Sequence, residues 1–337
     1  MELFSTKNKR LLWIIVGAVA ALLIVLMLIG TFLDYQIAHG VGVDRFSFFY
    51  IAFGMTNEAL GFLPAILVDA SLLAVLSLYA VRKKFKIPFH IGVAAFLAGG
   101  VYCAVFWTLA NHGIRLHERS SIHHGIAGGV STVVGAALSF PFIKFFKRFS
   151  RSDMRKLIYI LAIGAVMATL ANATSGIMQM LWGRYRFHAI VDYDIPFFTR
   201  WYRPFGRGGT AEGFGSTSFP SLHATSVTSI IMLPLSGLIL KASKKKMITF
   251  WIIAGVMLFC VPLSRMVLRW HFLTDVTFSL FIGLVSFIIG ILIIDFAFGK
   301  RFLKFINSNE DCDNAATNIE EEKTQEETLE LQNLGAI

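Results

Sequence analysis

Six residues in the second half of the chain could act together on a phosphate: Arg186, Ser221, His223, Arg265, His271 and Asp275. Arginine forks match phosphate oxygens in shape and stay charged at any physiological pH, so Arg186 and Arg265 can hold an oxyanion. The run Pro220-Ser221-Leu222-His223 reads as the opening of a helix, with proline ahead of the first turn and serine near the cap. Open backbone N–H groups at such a start suit a phosphate. His271 and Asp275 stand four residues apart, so on a helix the carboxylate can reach one imidazole nitrogen and orient the other. That pair makes an activated histidine without a metal. His223 could protonate the leaving oxygen, completing a nucleophile and an acid for covalent catalysis.

For these groups to meet, three separate segments must end on one face of the molecule. Of the 337 residues, 55% are hydrophobic and only 15% charged, which excludes an ordinary soluble enzyme. Apolar runs long enough to cross a bilayer fall near 11–33, 59–81, 89–110, 125–146, 157–181, 222–241, 247–268 and 276–298. The first run is longer than a secretory leader and continues into Thr31-Phe32-Leu33-Asp34, so it reads as a retained anchor helix. An aromatic stretch at 43–56 is too short to span and reads as an interfacial helix. The fold expected is all-α, a polytopic membrane bundle of about eight transmembrane helices.

Lysine sorts the loops. Five sets hold it, among them Lys83, Lys84, Lys147, Lys244 and Lys245, while the alternate loops hold arginine alone, among them Arg115, Arg184, Arg200, Arg203, Arg207 and Arg265. Basic residues are retained on the cytoplasmic side, so both termini are expected inside and the arginine-bearing loops outside. The net charge of +10 therefore reports orientation and not a nucleic-acid partner. Three cysteines, Cys103, Cys260 and Cys312, supply neither a disulfide framework nor zinc-ligand spacing. The organisation expected is a four-span membrane region at 1–156, a four-span catalytic core at 157–305 and an acidic, disordered cytoplasmic tail at 306–337.

Each candidate has an ordinary alternative. An arginine at the end of a span is commonly an interfacial anchor, serine and proline commonly start helices, and a histidine four residues before an aspartate is commonly a local hydrogen bond. Convergence favours chemistry, because Gln179–Arg186, Phe219–Ala224 and Ser264–Asp275 all fall at span ends on the same expected face.

At these residues the chain resembles the type-2 phosphatidic acid phosphatase family of integral membrane phosphatases. That family carries Lys-x6-Arg-Pro, Pro-Ser-Gly-His and Ser-Arg-x5-His-x3-Asp. Ser264, Arg265, His271 and Asp275 match the third motif in full. Pro220, Ser221 and His223 match the second, with Leu222 in the glycine position. Arg186 matches the arginine of the first, with Gln179 where the family has lysine and Phe187 where it has proline. The resemblance covers about residues 157–298. It implies a phosphatidic-acid-phosphatase-type core in which His271 attacks phosphorus, Asp275 orients it and His223 protonates the leaving group. Arg186, Ser221 and Arg265 would bind the phosphate oxygens, with Arg184 assisting and Gln179 in the lysine position. The family requires no metal and no cofactor.

The reaction expected is hydrolysis of a lipid phosphate, with membrane lipids around the protein and the headgroup at the outer boundary. A polyprenyl diphosphate, phosphatidylglycerophosphate and phosphatidic acid are the candidate substrates, the first favoured by an outward-facing site. Two rival readings use the same residues: transfer of the phosphoryl group to an acceptor other than water, or binding and transport without chemistry. Asp69, a carboxylate within the second span, would encourage the transport reading, since charged residues at depth often mark a path, although its ordinary role is a structural hydrogen bond to a neighbouring helix.

Overall fold

Long apolar runs must satisfy every backbone N–H and C=O internally, and the helix is how a single segment does so. A computed structural model describes residues 6–43, 47, 48, 50, 53, 55–80, 91–99, 101, 121–192, 198–205 and 216–307, and every regular element among them is helical. Helix α1 spans Thr6–Val41, α2 Met55–Ala80, α3 Ser121–Phe146 and α4 Arg151–Trp182. A short α5 covers Phe187–Asp192, and α6 covers Leu222–Ser226. A 3-10 turn at Val227–Ile231 leads into α7 at Met232–Ile239, followed by α8 at Lys244–Val267 and α9 at Leu273–Asn307. Seven stretches among the described residues are long and apolar enough to cross a membrane. The chain is a multi-pass membrane protein built as an all-α bundle. Of the expected third span only 91–99 and 101 are described, and they are helical. Half of the aromatic stretch at 43–56 and the tail beyond Asn307 lie outside the described residues.

Burial follows the logic of a lipid solvent. Phe140 and Phe296 are 81% and 95% exposed, while the arginines Arg155, Arg184 and Arg265 are fully buried. The core lies where α2, α4, α7 and α9 meet, with Val68, Ile160, Ile163, Met167, Met232, Leu235, Phe287 and Ile291 packed together. Small residues allow close approach, as in membrane bundles generally: a side chain at Gly164 would lie 2.7 Å from Met232 and 2.8 Å from Val68.

Three boundaries differ from the sequence expectation, and each bears on the site. Helix α1 runs to Val41, well past the expected end near residue 33, and carries Asp34 into the interior at 3% exposure. The sixth span is interrupted, two short α-helices joined by the 3-10 turn, and it is the most buried of the seven. Helix α9 begins at Leu273, so Asp275 already lies in its first turn.

Candidate active site

The first cluster is turned inward at the end of α4. Gly183 closes that helix in the left-handed region at φ 58°, a conformation that strains any residue with a Cβ. The chain reverses there, and Arg184 enters the protein at 1% exposure. Arg184, expected among the phosphate-binding residues, is committed inside the protein. Its Nε donates to the Thr199 carbonyl at 2.8 Å, Nη1 to Asp275 Oδ1 at 2.5 Å and Thr274 Oγ1 at 2.9 Å, and Nη2 to Asp34 Oδ2 at 2.9 Å. Four of its five N–H groups are thus engaged by the protein, and the guanidinium lies 4.2 Å from the centre of the Phe272 ring. It buttresses Asp275.

Asp275 is the junction of the site. Fully buried at N3 of α9, it accepts the Phe272 N–H on Oδ2 at 2.8 Å, the reach-back of a capping box. The Ser218 hydroxyl donates to the same oxygen at 2.5 Å. His271 stands just before the helix, at 2% exposure, with Nδ1 2.6 Å from the Ser218 carbonyl oxygen and 3.7 Å from Asp275 Oδ2. The expected direct hydrogen bond between Asp275 and the imidazole is therefore replaced. The interruption of the helix before Leu273 leaves His271 outside the four-residue geometry. A carbonyl can only accept, so Nδ1 must carry the proton and Nε2 the lone pair. That is the tautomer a nucleophilic histidine needs.

Electrostatics act in the same sense. Burial holds the His271 imidazole below its ordinary value of 6.5, the charges of Arg186 and Arg265 lower it further, and Asp275 opposes them. The ring is accordingly neutral at neutral pH. The guanidinium of Arg186 lies 4.6 Å from the centre of the Trp270 ring and that of Arg265 lies 5.9 Å from it, which brings both cations beside His271. Arg186 Nη2 also donates to Thr217 Oγ1 at 3.1 Å. Arg265 anchors the turn through its carbonyl, which accepts the N–H groups of Trp270 and His271 at 3.1 and 3.2 Å. At Arg269 the chain enters the left-handed region, φ 58°, and turns from α8 toward His271.

Ser221 precedes α6 at the cap position, as expected, but its hydroxyl makes no cap hydrogen bond and is buried with no hydrogen-bond partner. A buried hydroxyl in that state is suited to a ligand oxygen. The Ser221 N–H donates to the Asp275 carbonyl at 3.3 Å, joining the second and third segments. His223, the second residue of α6 and 8% exposed, packs on Phe62 of α2 with ring centres 4.4 Å apart. Gly61 makes this possible, since a Cβ there would lie 2.7 Å from His223 Cδ2. Gln179 is a tether: its Nε2 donates to the Pro220 carbonyl at 2.7 Å and fixes the second segment against α4.

The three segments expected to converge do so at one end of the bundle. Arg186, Arg265, Ser221, His271 and Asp275 are gathered there, whereas Arg184 and Gln179 are held by protein groups one layer behind. Arg200 and Arg203 are exposed, Arg200 bonding to Tyr202 at 2.9 Å, and Arg207 lies outside the described residues. Ser218 and Asp34 lay outside the sequence expectation, and Thr274 fell within the third cluster without a role of its own. The polar run Ser216-Thr217-Ser218 just ahead of Phe219-Pro220 was the available signal for the first, and a carboxylate closing the first apolar run was the signal for Asp34.

Neither a curated protein nor a solved structure matches the chain. Residues 155–298 match the family model of the PAP2 superfamily, a range that contains every candidate residue above except Asp34 and the two α2 residues beside His223. Over this region, somewhat under half of its length, the chain is similar to the PAP2 superfamily, consistent with a type-2 phosphatidic acid phosphatase family.

Proposed function

We propose that the protein hydrolyses a lipid phosphate through a phosphohistidine, without a metal. The observation that carries this reading is the 2.6 Å contact of His271 Nδ1 with the Ser218 carbonyl, which leaves Nε2 unprotonated beside two buried guanidiniums. In this reaction the Nε2 lone pair forms an N–P bond as the bond from phosphorus to the leaving oxygen breaks, and His223 delivers a proton to that oxygen. Arg186, Arg265 and Ser221 hold the nonbridging oxygens, where charge builds up in the transition state. Water then attacks the phosphohistidine, giving a proton back to His223, as the N–P bond breaks, returns the lone pair to His271 Nε2 and releases phosphate. Asp275 stabilises the cationic ring throughout, backed by Arg184.

A membrane-embedded site of this kind favours substrates whose tail stays in the bilayer. A polyprenyl diphosphate is the substrate class we favour, with the site on the extracytoplasmic side of the cell membrane and both termini in the cytoplasm, as the lysine-bearing loops suggest. The test is phosphate release from polyprenyl diphosphate, phosphatidylglycerophosphate and phosphatidic acid in EDTA, by wild type and by His271→Ala. Release by wild type alone supports the proposal. Equal release by both forms refutes the assignment of His271, and no release by either points to binding or transport. Loss of lipid phosphate only when an alcohol acceptor is added points to phosphotransfer.

A further inference from the structure

Asp34 belongs to α1, more than a hundred residues ahead of the PAP2 region, yet it is built into the layer behind the candidate nucleophile. Its Oδ1 accepts the Thr274 N–H at 2.9 Å, and its Oδ2 accepts Arg184 Nη2 at 2.9 Å and the Thr274 hydroxyl. Thr274 N–H is one of the orphan donors in the first turn of α9, so a carboxylate from another span serves as its cap and meets the positive end of the helix dipole. Packing leaves little freedom here: a Cβ on Gly30 would lie 2.7 Å from Thr274 Cγ2 and 3.3 Å from Asp34 Oδ1. Arg184 is shared between two carboxylates, Asp34 on one side and Asp275 on the other.

We propose that Asp34 is a positioning residue of this active site: through Arg184 and Thr274 it holds Asp275, and through Asp275 and Ser218 the ring of His271. The inference rests on the phosphohistidine reading for its kinetic consequence, but its structural consequence stands apart from turnover. Sharing Arg184 matters because an arginine given wholly to Asp275 would neutralise the carboxylate that stabilises the imidazolium and the phosphohistidine. The first span is then part of the catalytic centre and not only an anchor. The charged groups around His271 are Asp275 of α9, Arg184 and Arg186 after α4, Arg265 of α8 and, through Arg184, Asp34 of α1.

The test compares full-length wild type, Asp34→Asn and Thr31→Val in detergent. Thr31→Val removes another tie of α1, the 2.9 Å hydrogen bond from Trp201, without touching the carboxylates. Two readouts are taken: kcat and KM on polyprenyl diphosphate, and the pH titration of His271 by 15N-histidine NMR, assigned by difference against His271→Ala. In Asp34→Asn, kcat is expected to fall about 10- to 100-fold, the range for partners one layer behind a reacting group. KM should stay within about twofold, since Asp34 does not touch substrate. The His271 titration moves to lower pH, because a carboxylate is lost and Arg184 turns its whole charge on Asp275. Thr31→Val leaves the titration in place. An unshifted titration in Asp34→Asn, or an equal shift in Thr31→Val, overturns the proposal. If Asp34→Asn does not fold, Thr274→Val, which removes the side-chain bonds to Asp34 and to Arg184 and keeps every charge, is read instead with a smaller kcat loss in the same sense. Wild type without turnover overturns the proposed function, and the NMR comparison still decides Asp34.

Discussion

Because the Ser218 carbonyl and not a carboxylate holds the Nδ1 proton, substitutions at the site separate into two kinds. Asp275→Asn should keep the tautomer of His271 and lose only the stabilisation of its cationic form, a fall in kcat of about 10- to 100-fold. His271→Ala should fall to the assay background; equal activity for the two variants would show that Asp275 fixes the tautomer after all. The acid side of the pH profile follows from the same surroundings. With the neutral ring as the proposed nucleophile, kcat/KM should rise with pH through the His271 titration, and a ring held below 6.5 puts that rise below the ordinary histidine range. Arg186→Gln removes one of the charges that lower it. The acid limb should therefore move upward while kcat falls about 10²- to 10³-fold, the usual cost of a lost oxyanion donor. A limb that stays in place would show that Arg186 does not face the ring.

At the scale of elements, what places each candidate group is the end of a helix. Gly183 ends α4 in a left-handed turn, Ser221 begins the broken sixth span, and the turn at Arg269 brings the chain from α8 to His271. Helix α2 presses on the second histidine through Gly61 and Phe62. Gly61→Leu should displace the His223 ring by crowding it and lower kcat by about 10²-fold, as expected for a misplacement near 1 Å, with His271 titrating as in wild type. Arg184→Ala belongs to a different class. It strands two buried carboxylates, Asp34 and Asp275, and should cost about 3–5 kcal/mol of stability, read as a lower thermal midpoint in detergent. A variant with wild-type stability would mean that the carboxylates find other partners.

Over the whole molecule the lysine alternation becomes a prediction about sides. In a background without Cys103, Cys260 and Cys312, a cysteine at the exposed Tyr202 near the site should react in intact cells with a membrane-impermeant maleimide. A cysteine at Lys245, in the first turn of α8 and so at its other end from Arg265, should react only after permeabilisation. The opposite pattern would invert the topology and place the site in the cytoplasm. The bundle also draws the leading spans into the core: α1 packs on α9 and α2 on α4, so a division at residue 156 is a division of sequence across which both spans contribute contacts to the site.

Much was legible from the residues alone, for reasons of local physics. Spans announce themselves because a helix that crosses a bilayer must be long and apolar. The set Ser264, Arg265, His271 and Asp275 was legible because its spacing matches the third motif of the family that the chain resembles. Spacing along the chain, however, says nothing about which donor meets which acceptor across it. The Ser218 carbonyl that sets the tautomer is 53 residues from His271, and Asp34 is 240 residues from Thr274. The pairing of Arg184 with two carboxylates exists only once α1, α4 and α9 have packed. A buried charge takes whatever opposite charge the packing brings within reach, and only the tertiary structure decided which charges those were.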